Sequence, residues 1–364
     1  MNQYKLLTPG PLTTTDTVKA VMQVDHCTWD DDYKQITQRI RAQLLALGHV
    51  AEPAYTAVLM QGSGTFGVES VLTTVVGPKD KVLIAANGAY GLRMTDSCRH
   101  AGVAKTLYEQ PNDQRPEAGV VAKYLAEDPA ITHVAMVHGE TTSGILNDVA
   151  AVGQVAKAAG KTFLVDAMST FGGIDIPLAD WGIDFLVSSA NKCIQGVPGF
   201  SFILANREKL AACAGQARSL SLDLYDQWKG MEDGGGKWRF TSPTHVVLAL
   251  KELEAEGGIP ARHARYDQNQ RLLAENFQAL GFRPYLDPAV QGPIITSFCY
   301  PEGATFTFDQ MYHYIKDRGY VLYPGKVMEA DTFRVGNIGE IYPEDILKLS
   351  AILADFLKET EAAQ

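Results

Sequence analysis

Short apolar runs alternate with helix-period segments between about residue 55 and residue 206. Most of the runs are apolar throughout, as expected of strands that are covered by helices on both faces. The segment 149–160 has helical periodicity and ends on a glycine, a common helix terminator. The pattern predicts an α/β fold with a mainly parallel sheet. The predicted strands are residues 55–60, 81–87, 132–138, 162–168, 184–190 and 199–205.

The pattern changes after about residue 256. A long helical stretch is followed by short strand-like runs, a second helical stretch and a final helix, which together predict a smaller α+β domain. A chain of 364 residues usually needs more than one hydrophobic core. We therefore expect an N-terminal arm (1–20), a large α/β domain (21–255) and a small C-terminal α+β domain (256–364). No low-complexity linker separates the two domains, so we expect them to pack rigidly.

Composition and charge narrow the class of protein. The net charge of −10 and the pI of about 5.3 argue against a nucleic-acid partner, which requires a basic face. A small anionic ligand needs only a local positive site. No apolar run is long enough to span a membrane, and residues 1–16 do not resemble a signal peptide. The five cysteines form no C-x-x-C pair and are expected to be free thiols. We expect a cytoplasmic protein without a membrane partner.

The segment 61–67, QGSGTFG, has the G-x-G-x-x-G spacing of a dinucleotide-binding loop. Such a loop should be followed by an acidic residue at the end of the next strand, which binds the ribose. That strand ends here in Asn87, and the nearest acid, Asp80, precedes it. A loop that opens a helix can still hold a single phosphate. From this loop alone, a phosphate site and a plain glycine turn remain equally open.

Asp166 and Lys192 add a second observation, because each lies at the carboxyl end of a predicted strand, where ligands bind in open α/β sheets. Alone, such an aspartate is more often a helix cap and such a lysine a solvated residue. Together with a phosphate loop they supply what pyridoxal phosphate (PLP) requires, namely a Schiff-base lysine, a carboxylate at the pyridinium nitrogen and a phosphate site. The sequence therefore predicts a PLP site.

Three further residues suit this chemistry, each with a commoner alternative. Tyr90 follows the second strand of the α/β region and can stack on the cofactor ring, although most such aromatics belong to the core. Arg334 lies in an apolar strand, and its planar fork suits a carboxylate or phosphonate, although an internal salt bridge is the alternative. Lys326 would add positive charge for a phosphonate, but a solvated lysine is commoner. No residue spacing predicts a metal site.

A set of motifs in order from residue 6 to residue 340 resembles the 2-aminoethylphosphonate:pyruvate aminotransferase family. This family belongs to the class V branch of the fold-type I PLP enzymes, which also contains the alanine–glyoxylate and serine–pyruvate aminotransferases. The segments SSANKCIQGVPGF (188–200) and GKWRFTSPTH (236–245) are specific to the phosphonate family, whereas LLTPGPLTTT (6–15) and QGSGTFG identify only the branch. The resemblance implies transfer of an amino group from 2-aminoethylphosphonate to pyruvate, giving 2-phosphonoacetaldehyde and alanine.

The resemblance also implies roles for residues in the cofactor site. Lys192 would carry PLP as a Schiff base, and Asp166 would pair with the pyridinium nitrogen. Tyr90 would stack on the ring, and Thr141 would bond its 3-hydroxyl. The cofactor phosphate would be bound by Ser63, Gly64, Thr65 and Asn191.

Two implied roles concern the substrate and a second subunit. Arg334 would bind the acid group of both substrates. Thr241 would reach the cofactor phosphate of the neighbouring subunit, which implies a homodimer with shared active sites. One departure from the family is the stretch 244–258, which is about one helical turn shorter than expected. Loss of one turn keeps the same helix face inward, so the fold should survive.

Two alternative functions remain open at this stage. The sister alanine–glyoxylate and serine–pyruvate aminotransferases would use the same cofactor residues. A PLP lyase of the cysteine desulfurase type resembles the same scaffold, but those enzymes carry histidine immediately before the Schiff-base lysine and a cysteine on a mobile loop. Asn191 occupies the first position here, and Cys299 lies within a strand-like run. The lyase alternative is therefore the weaker one.

Overall fold

The computed structural model describes residues 4–246, 253–327 and 330–362. The strands are β1 Lys5–Leu6, β2 Tyr55–Gln61, β3 Lys81–Ala86, β4 Ala104–Glu109, β5 Ile131–Val137, β6 Gly139–Glu140, β7 Ile145–Leu146, β8 Thr162–Asp166, β9 Phe185–Ser189, β10 Phe200–Asn206, β11 Arg283–Pro284, β12 Ile295–Cys299, β13 Tyr320–Val321, β14 Tyr323–Pro324 and β15 Thr332–Gly336. The helices are α1 Asp16–Val21, α2 Asp31–Leu47, α3 Gly64–Val75, α4 Ala89–Ala101, α5 Ala118–Glu127, α6 Val149–Ala158, α7 Arg207–Ala211, α8 Leu224–Asp233, α9 Gly258–Ala279, α10 Phe308–Lys316 and α11 Pro343–Ala362.

The large sheet has seven strands in the order β2-β10-β9-β8-β5-β3-β4. Strand β10 is antiparallel to both of its neighbours, and the other pairs are parallel. The six strands predicted from the sequence all form, with ends that differ by two residues or fewer. The seventh, β4, was not predicted, because it lies at the sheet edge and most of its residues are partly exposed. The prediction of a mainly parallel sheet is confirmed.

Both faces of this sheet are covered, which explains the continuous apolar runs. Neighbouring residues of one strand enter different hydrophobic clusters: Leu164 packs into one cluster and Val165 into the other. Ala135 and Met136 divide in the same way. Since each large aliphatic side chain contributes about 1.5–3 kcal/mol on burial, both faces hold the sheet rigid. A rigid sheet fixes the positions of the residues that follow its strands.

A second sheet, with the order β11-β12-β15-β14, is antiparallel throughout and forms the C-terminal region with α9, α10 and α11. Its core contains Phe277, Phe298 and Phe333, and the ring centroids of Phe277 and Phe298 are 4.8 Å apart. Side chains alternate along a strand. Phe333 therefore enters this core while the next residue, Arg334, is presented on the opposite face of β15.

The N-terminal arm contacts both the C-terminal region and the large-sheet region. Strand β1 pairs with β13 in parallel, and Leu7 bonds with the backbone of Val321 and Gly336. Gly336 allows this close approach, because a Cβ there would lie 2.3 Å from the carbonyl oxygen of Thr8. The arm continues from this point toward Lys192. Its path could not be predicted from the sequence.

Helix α9 begins beside the predicted domain boundary at residue 256. Its first turn places Ile259 in a core cluster of the large sheet, whereas Leu273 and Phe277 pack in the C-terminal core. One helix therefore contributes to both cores, and the predicted boundaries remain a prediction. The centre of the shortened stretch 244–258, residues 247–252, lies outside the described residues. The five cysteines are free thiols, as predicted. No helix within the described ranges is long and apolar enough to cross a membrane.

Candidate active site

A cavity of about 240 Å³ opens at the carboxyl edge of the large sheet. Asp166 is the last residue of β8, Lys192 lies three residues after the end of β9, and Ser63 follows β2 by two residues. Open α/β sheets bind ligands at this edge. The sequence prediction that Asp166, Lys192 and the glycine loop lie together therefore agrees with the geometry.

Eight of the ten predicted site residues line this cavity. They are Ser63, Gly64, Thr65, Tyr90, Thr141, Asp166, Asn191 and Lys192. The other two do not. Arg334 is buried, and its guanidinium interacts with Tyr90. The carbonyl oxygen of Thr241 lies 3.5 Å from Nε2 of Gln61, at the end of β2.

The glycine loop forms the amino end of helix α3. Ser63 is the residue before the helix, and Gly64 and Thr65 are its first two residues. Their N–H groups have no carbonyl acceptor within the helix, so they are available to an anion. A Cβ at Gly64 would lie 2.1 Å from Sδ of Met168, so a larger residue there would have to displace that side chain. The loop thus has the properties of a phosphate site.

Asp166 is a buried carboxylate whose Oδ1 accepts a hydrogen bond from the backbone N–H of Met168 at 2.8 Å. Burial raises the pKa of Asp166 to about 6, and the nearby carboxylate of Glu140 adds to this effect. Lys192 and Arg93 oppose it. A carboxylate in this situation gains from a cationic partner, which would restore its charged form.

Lys192 is the buried amine of the cavity. Its Nζ donates a hydrogen bond to the carbonyl oxygen of Pro9 at 2.5 Å. Gly10 follows in the arm, and a Cβ there would lie 2.7 Å from Cδ of Lys192. Burial lowers the pKa of Lys192, although Tyr90 and Asp166 counteract it. The N-terminal arm therefore touches the reactive amine, a contact that sequence reasoning missed.

Tyr90 lies at the meeting point of several cations. Its hydroxyl interacts with Thr141 and with the guanidinium of Arg334. Burial opposes its ionisation, yet Thr141 and the charges of Lys326, Lys192 and Arg334 outweigh burial and lower its pKa. Tyr90 is thus not a simple core aromatic. Its hydroxyl lies in a region of net positive charge.

Arg334 and Lys326 reach this point from the C-terminal region. Arg334 donates through Nε to the carbonyl oxygen of Pro324 at 3.0 Å and through Nη1 to that of Thr141 at 2.9 Å. Lys326 is half-buried, and its Nζ lies 4.3 Å from the centroid of the Tyr90 ring. Its position therefore differs from the solvated lysine considered in the sequence analysis.

Glu140 is a buried carboxylate that sequence reasoning also missed. It accepts hydrogen bonds from the backbone N–H groups of Tyr90 and Gly91, both at 3.2 Å, and from the hydroxyl of Thr142 at 2.6 Å. These bonds satisfy the amino end of α4, where a negative charge is favourable. Burial raises the pKa of Glu140, and these hydrogen bonds partly counteract that rise because they stabilise the charged carboxylate. Glu140 holds Tyr90 in place rather than contacting the cavity.

Ser189, the last residue of β9, was overlooked as well. Its side chain lines the cavity, and its Oγ is buried with no hydrogen-bond partner among the described residues. A buried hydroxyl normally has a partner, so a ligand atom is the expected one. The available signal was its position: Ser189 ends a strand three residues before Lys192.

A model of the aminotransferase class-V family matches residues 20–305 of the chain. The chain belongs to the class-V aminotransferases. Membership confirms the prediction of an aminotransferase. It also agrees with the observed placement of a lysine and an aspartate at the carboxyl edge of the sheet.

Individual relatives are similar over nearly the whole length. The 2-aminoethylphosphonate–pyruvate transaminase of Klebsiella pneumoniae subsp. pneumoniae is 55% identical over 355 residues, covering 96% of each chain. That of Lysinibacillus sphaericus is 54% identical over 361 residues, covering 98% of each. The crystal structure of alanine–glyoxylate aminotransferase from Nostoc sp. has a TM-score of 0.90 at 23% identity, covering 98% of this chain and 96% of that one. This last likeness concerns the fold, and the predicted fold-type I architecture is confirmed.

Proposed function

We propose that this class-V aminotransferase uses PLP to transfer the amino group of 2-aminoethylphosphonate to pyruvate, giving 2-phosphonoacetaldehyde and L-alanine. The observation that carries the chemistry is the placement of Lys192, Asp166 and the amino end of α3 around one cavity. The choice of substrates rests on the names of relatives that are 54–55% identical over at least 95% of the chain.

The residues of the cavity fit PLP. The cofactor needs an amine for covalent attachment, a carboxylate near its ring nitrogen and a site for its phosphate. Lys192 and Asp166 supply the first two. Ser63, with the first N–H groups of α3, supplies the third. The unpartnered hydroxyl of Ser189 is consistent with a further polar contact to a ligand.

When bound, PLP supplies an electron sink for the electron pair left on the substrate carbon after loss of a proton. Lys192 would hold the cofactor through Nζ, and the same Nζ, once released, would remove and return the proton of the substrate carbon. Burial lowers the pKa of Lys192, which increases the neutral fraction able to act as a base. Asp166 would keep the ring nitrogen of the cofactor protonated, a role that would also relieve the cost of its own burial.

The substrate acid group would meet Arg334. Two of its N–H groups are already fixed by the carbonyl oxygens of Pro324 and Thr141, so the guanidinium is held rigidly. Tyr90 and Glu140 keep α4 in place beside it. Burial lowers the pKa of Arg334, but arginine remains charged, and a buried cation gains strongly from an anionic substrate.

A homodimer with shared active sites is part of the proposal. Phe66, Leu220 and Phe240 expose 52%, 76% and 45% of their surface, and exposed apolar side chains of this size are common at interfaces. Phe66 belongs to the phosphate loop, and Phe240 precedes Thr241, the residue proposed to reach the partner's cofactor. We also propose that the protein is cytoplasmic, because free thiols are typical of proteins in a reducing compartment.

Subunit mixing tests the sharing of sites. Lys192→Ala and Thr241→Ala variants, each inactive or impaired alone, are combined under conditions that exchange subunits. If Thr241 serves the partner's site, the mixed dimer contains one intact site and regains up to half of the wild-type activity per dimer. If Thr241 serves its own subunit, mixing produces no recovery.

A substrate panel tests the reaction itself. The purified enzyme, reconstituted with PLP, should release 2-phosphonoacetaldehyde from 2-aminoethylphosphonate only when pyruvate is present as acceptor. L-Serine and L-alanine as donors, with glyoxylate as acceptor, provide the comparison with the sister aminotransferases. Full activity with alanine and glyoxylate, and none with 2-aminoethylphosphonate, would contradict the proposal.

A further inference from the structure

Two cations that contact Tyr90 come from one β-hairpin of the C-terminal region. Strands β14 and β15 are paired, with Tyr323 opposite Arg334, and Lys326 follows β14 by two residues. The guanidinium of Arg334 interacts with the hydroxyl of Tyr90, while Nζ of Lys326 lies 4.3 Å from the centroid of the same ring. The hairpin therefore places both positive charges beside Tyr90.

Neither cation has a carboxylate partner in the part of the chain that the structure describes. The ion pairs within 4.0 Å among these residues involve other lysines and arginines. The nearby buried carboxylate, Glu140, is occupied by backbone N–H groups and the hydroxyl of Thr142. Partly buried cations without partners are costly and typically serve a ligand.

The two positive charges beside Tyr90 match a ligand with two negative charges. A carboxylate carries one negative charge, which a single arginine fork balances. A phosphonate carries two when fully ionised, and its three oxygens need donors from more than one direction. Arg334 donates Nε–H and one Nη1–H to backbone oxygens, which leaves three N–H donors but only one positive charge, so a dianion gains from a second cation. The ammonium of a lysine is a compact point charge on a flexible stem, which suits that role.

We propose that Lys326 is the specificity-determining residue that, beside Arg334, binds the second charge of the substrate phosphonate and so distinguishes it from a carboxylate substrate. This inference rests on the proposed function and deepens it. Arg334 serves both substrates in turn, and Lys326 contributes when the acid group is a dianion. Lys326 lines a separate cavity of about 720 Å³ together with Gly88 and Thr142, so a ligand can reach the lysine from that side of Tyr90.

Binding of two simple probes to the PLP-loaded enzyme tests this proposal. Ethylphosphonate and propionate have similar carbon chains without an amine, and they are compared by calorimetry at a pH where the phosphonate is doubly ionised. Lys326→Met removes the charge but keeps an apolar stem against Tyr90. It should weaken ethylphosphonate binding by about tenfold or more, the size expected for a lost charge-assisted hydrogen bond. Propionate binding should change by less than about twofold.

Lys316→Met is the matched control. Nζ of Lys316 lies 5.7 Å from the ring centroid of Tyr312 on helix α10, so this variant loses a comparable cation–ring contact outside the site. It should bind both probes as the wild type does. Lys326→Arg should retain most of the preference for ethylphosphonate, and Lys326→Gln replaces the methionine variant if that protein does not fold.

Steady-state kinetics give a second readout. Lys326→Met should raise the KM for 2-aminoethylphosphonate by about tenfold, with the KM for pyruvate nearly unchanged. Equal weakening of ethylphosphonate and propionate binding would mean that Lys326 acts only by holding Tyr90. Unchanged binding of both probes would mean that Lys326 does not contribute to ligand binding. Either result overturns the proposal. A wild-type enzyme that cannot transaminate 2-aminoethylphosphonate would refute the proposed function separately, since the probes measure binding without turnover.

Discussion

The two ends of the candidate site are built in different ways. The proposed cofactor end lies at the carboxyl edge of one sheet and is formed by residues at or within three residues of the ends of β2, β8 and β9. The substrate end joins segments that are far apart in sequence: Pro9 touches Lys192 across 183 residues, and Arg334 touches Thr141 across 193. A rigid sheet fixes the first end, whereas the second depends on how the C-terminal region and the arm pack on it.

This difference separates chemistry from specificity. Under the proposed function, the residues at the sheet edge would supply the amine, the carboxylate and the phosphate site that a PLP transaminase needs. The hairpin β14–β15 would supply the cations that meet the acid group of the substrate. Changes at the first end should affect both half-reactions equally. Changes at the second should affect them according to the charge of each substrate.

Lys192→Ala should have the largest effect. Loss of Nζ removes both the covalent attachment and the base, so turnover with either substrate should fall by about a thousandfold or more. The visible absorption of the PLP-loaded protein should disappear as well. Absorption spectra and steady-state rates measure these effects. A variant that kept its visible absorption would show that another amine binds the cofactor.

Asp166→Asn should have the next largest effect. The amide has nearly the same shape but no charge, so it would not stabilise a protonated ring nitrogen. We expect kcat for both half-reactions to fall by about a hundredfold or more, a typical loss for a removed electrostatic contact in a catalytic site. Rapid-mixing measurements of each half-reaction check this. A loss confined to one half-reaction would contradict the assignment of Asp166 to the cofactor end.

Arg334→Lys tests the substrate end. The ammonium cannot reproduce the rigid fork held by Pro324 and Thr141, so the KM should rise for both substrates by about tenfold to a hundredfold. Cofactor binding and visible absorption should be retained, because Arg334 does not line the cofactor cavity. Loss of cofactor in this variant would show that the two ends are not separable.

The smallest expected effect is on the stability of the cofactor-free protein. Burial raises the pKa of Asp166 from 3.8 to about 6, so the folded protein holds this proton more tightly than the unfolded chain. Its contribution to stability is therefore fully present below about pH 4 and is lost as the pH rises through 6. Asp166→Asn does not titrate, so it should gain about 1–3 kcal/mol relative to the wild type between pH 4 and pH 7. Urea unfolding at both pH values measures this gain, and a constant difference would contradict it.

The clustering of polar residues at one edge of the large sheet could be predicted from the sequence for a physical reason. Apolar strands that are buried on both faces are conspicuous, and polar residues at their carboxyl ends must then lie together. Asp166, Lys192 and Ser63 follow this rule. Ser189 obeys it too, but a serine at the end of an apolar strand is less conspicuous than a charged residue. Strand β4 was missed because an edge strand need not be apolar.

The contacts of the substrate end could not be predicted from the sequence, because they join residues that are far apart along the chain. Arg334 could be singled out as an arginine in an apolar strand, yet nothing in its surroundings indicates a bond with Thr141. The approach of Pro9 to Lys192 depends on pairing of the arm with β13, which sequence periodicity does not reveal. The sequence around Lys326 favours a solvated lysine, and only the fold places its Nζ 4.3 Å from the centroid of the Tyr90 ring.

The most direct test of the account is a single-turnover experiment on the PLP-loaded wild-type enzyme. Addition of 2-aminoethylphosphonate without an acceptor should release about one equivalent of 2-phosphonoacetaldehyde per subunit, and later addition of pyruvate should yield about one equivalent of alanine, as covalent transfer through one cofactor requires. If 2-aminoethylphosphonate releases no aldehyde while L-alanine releases pyruvate, the site still transaminates but the assigned substrate is wrong.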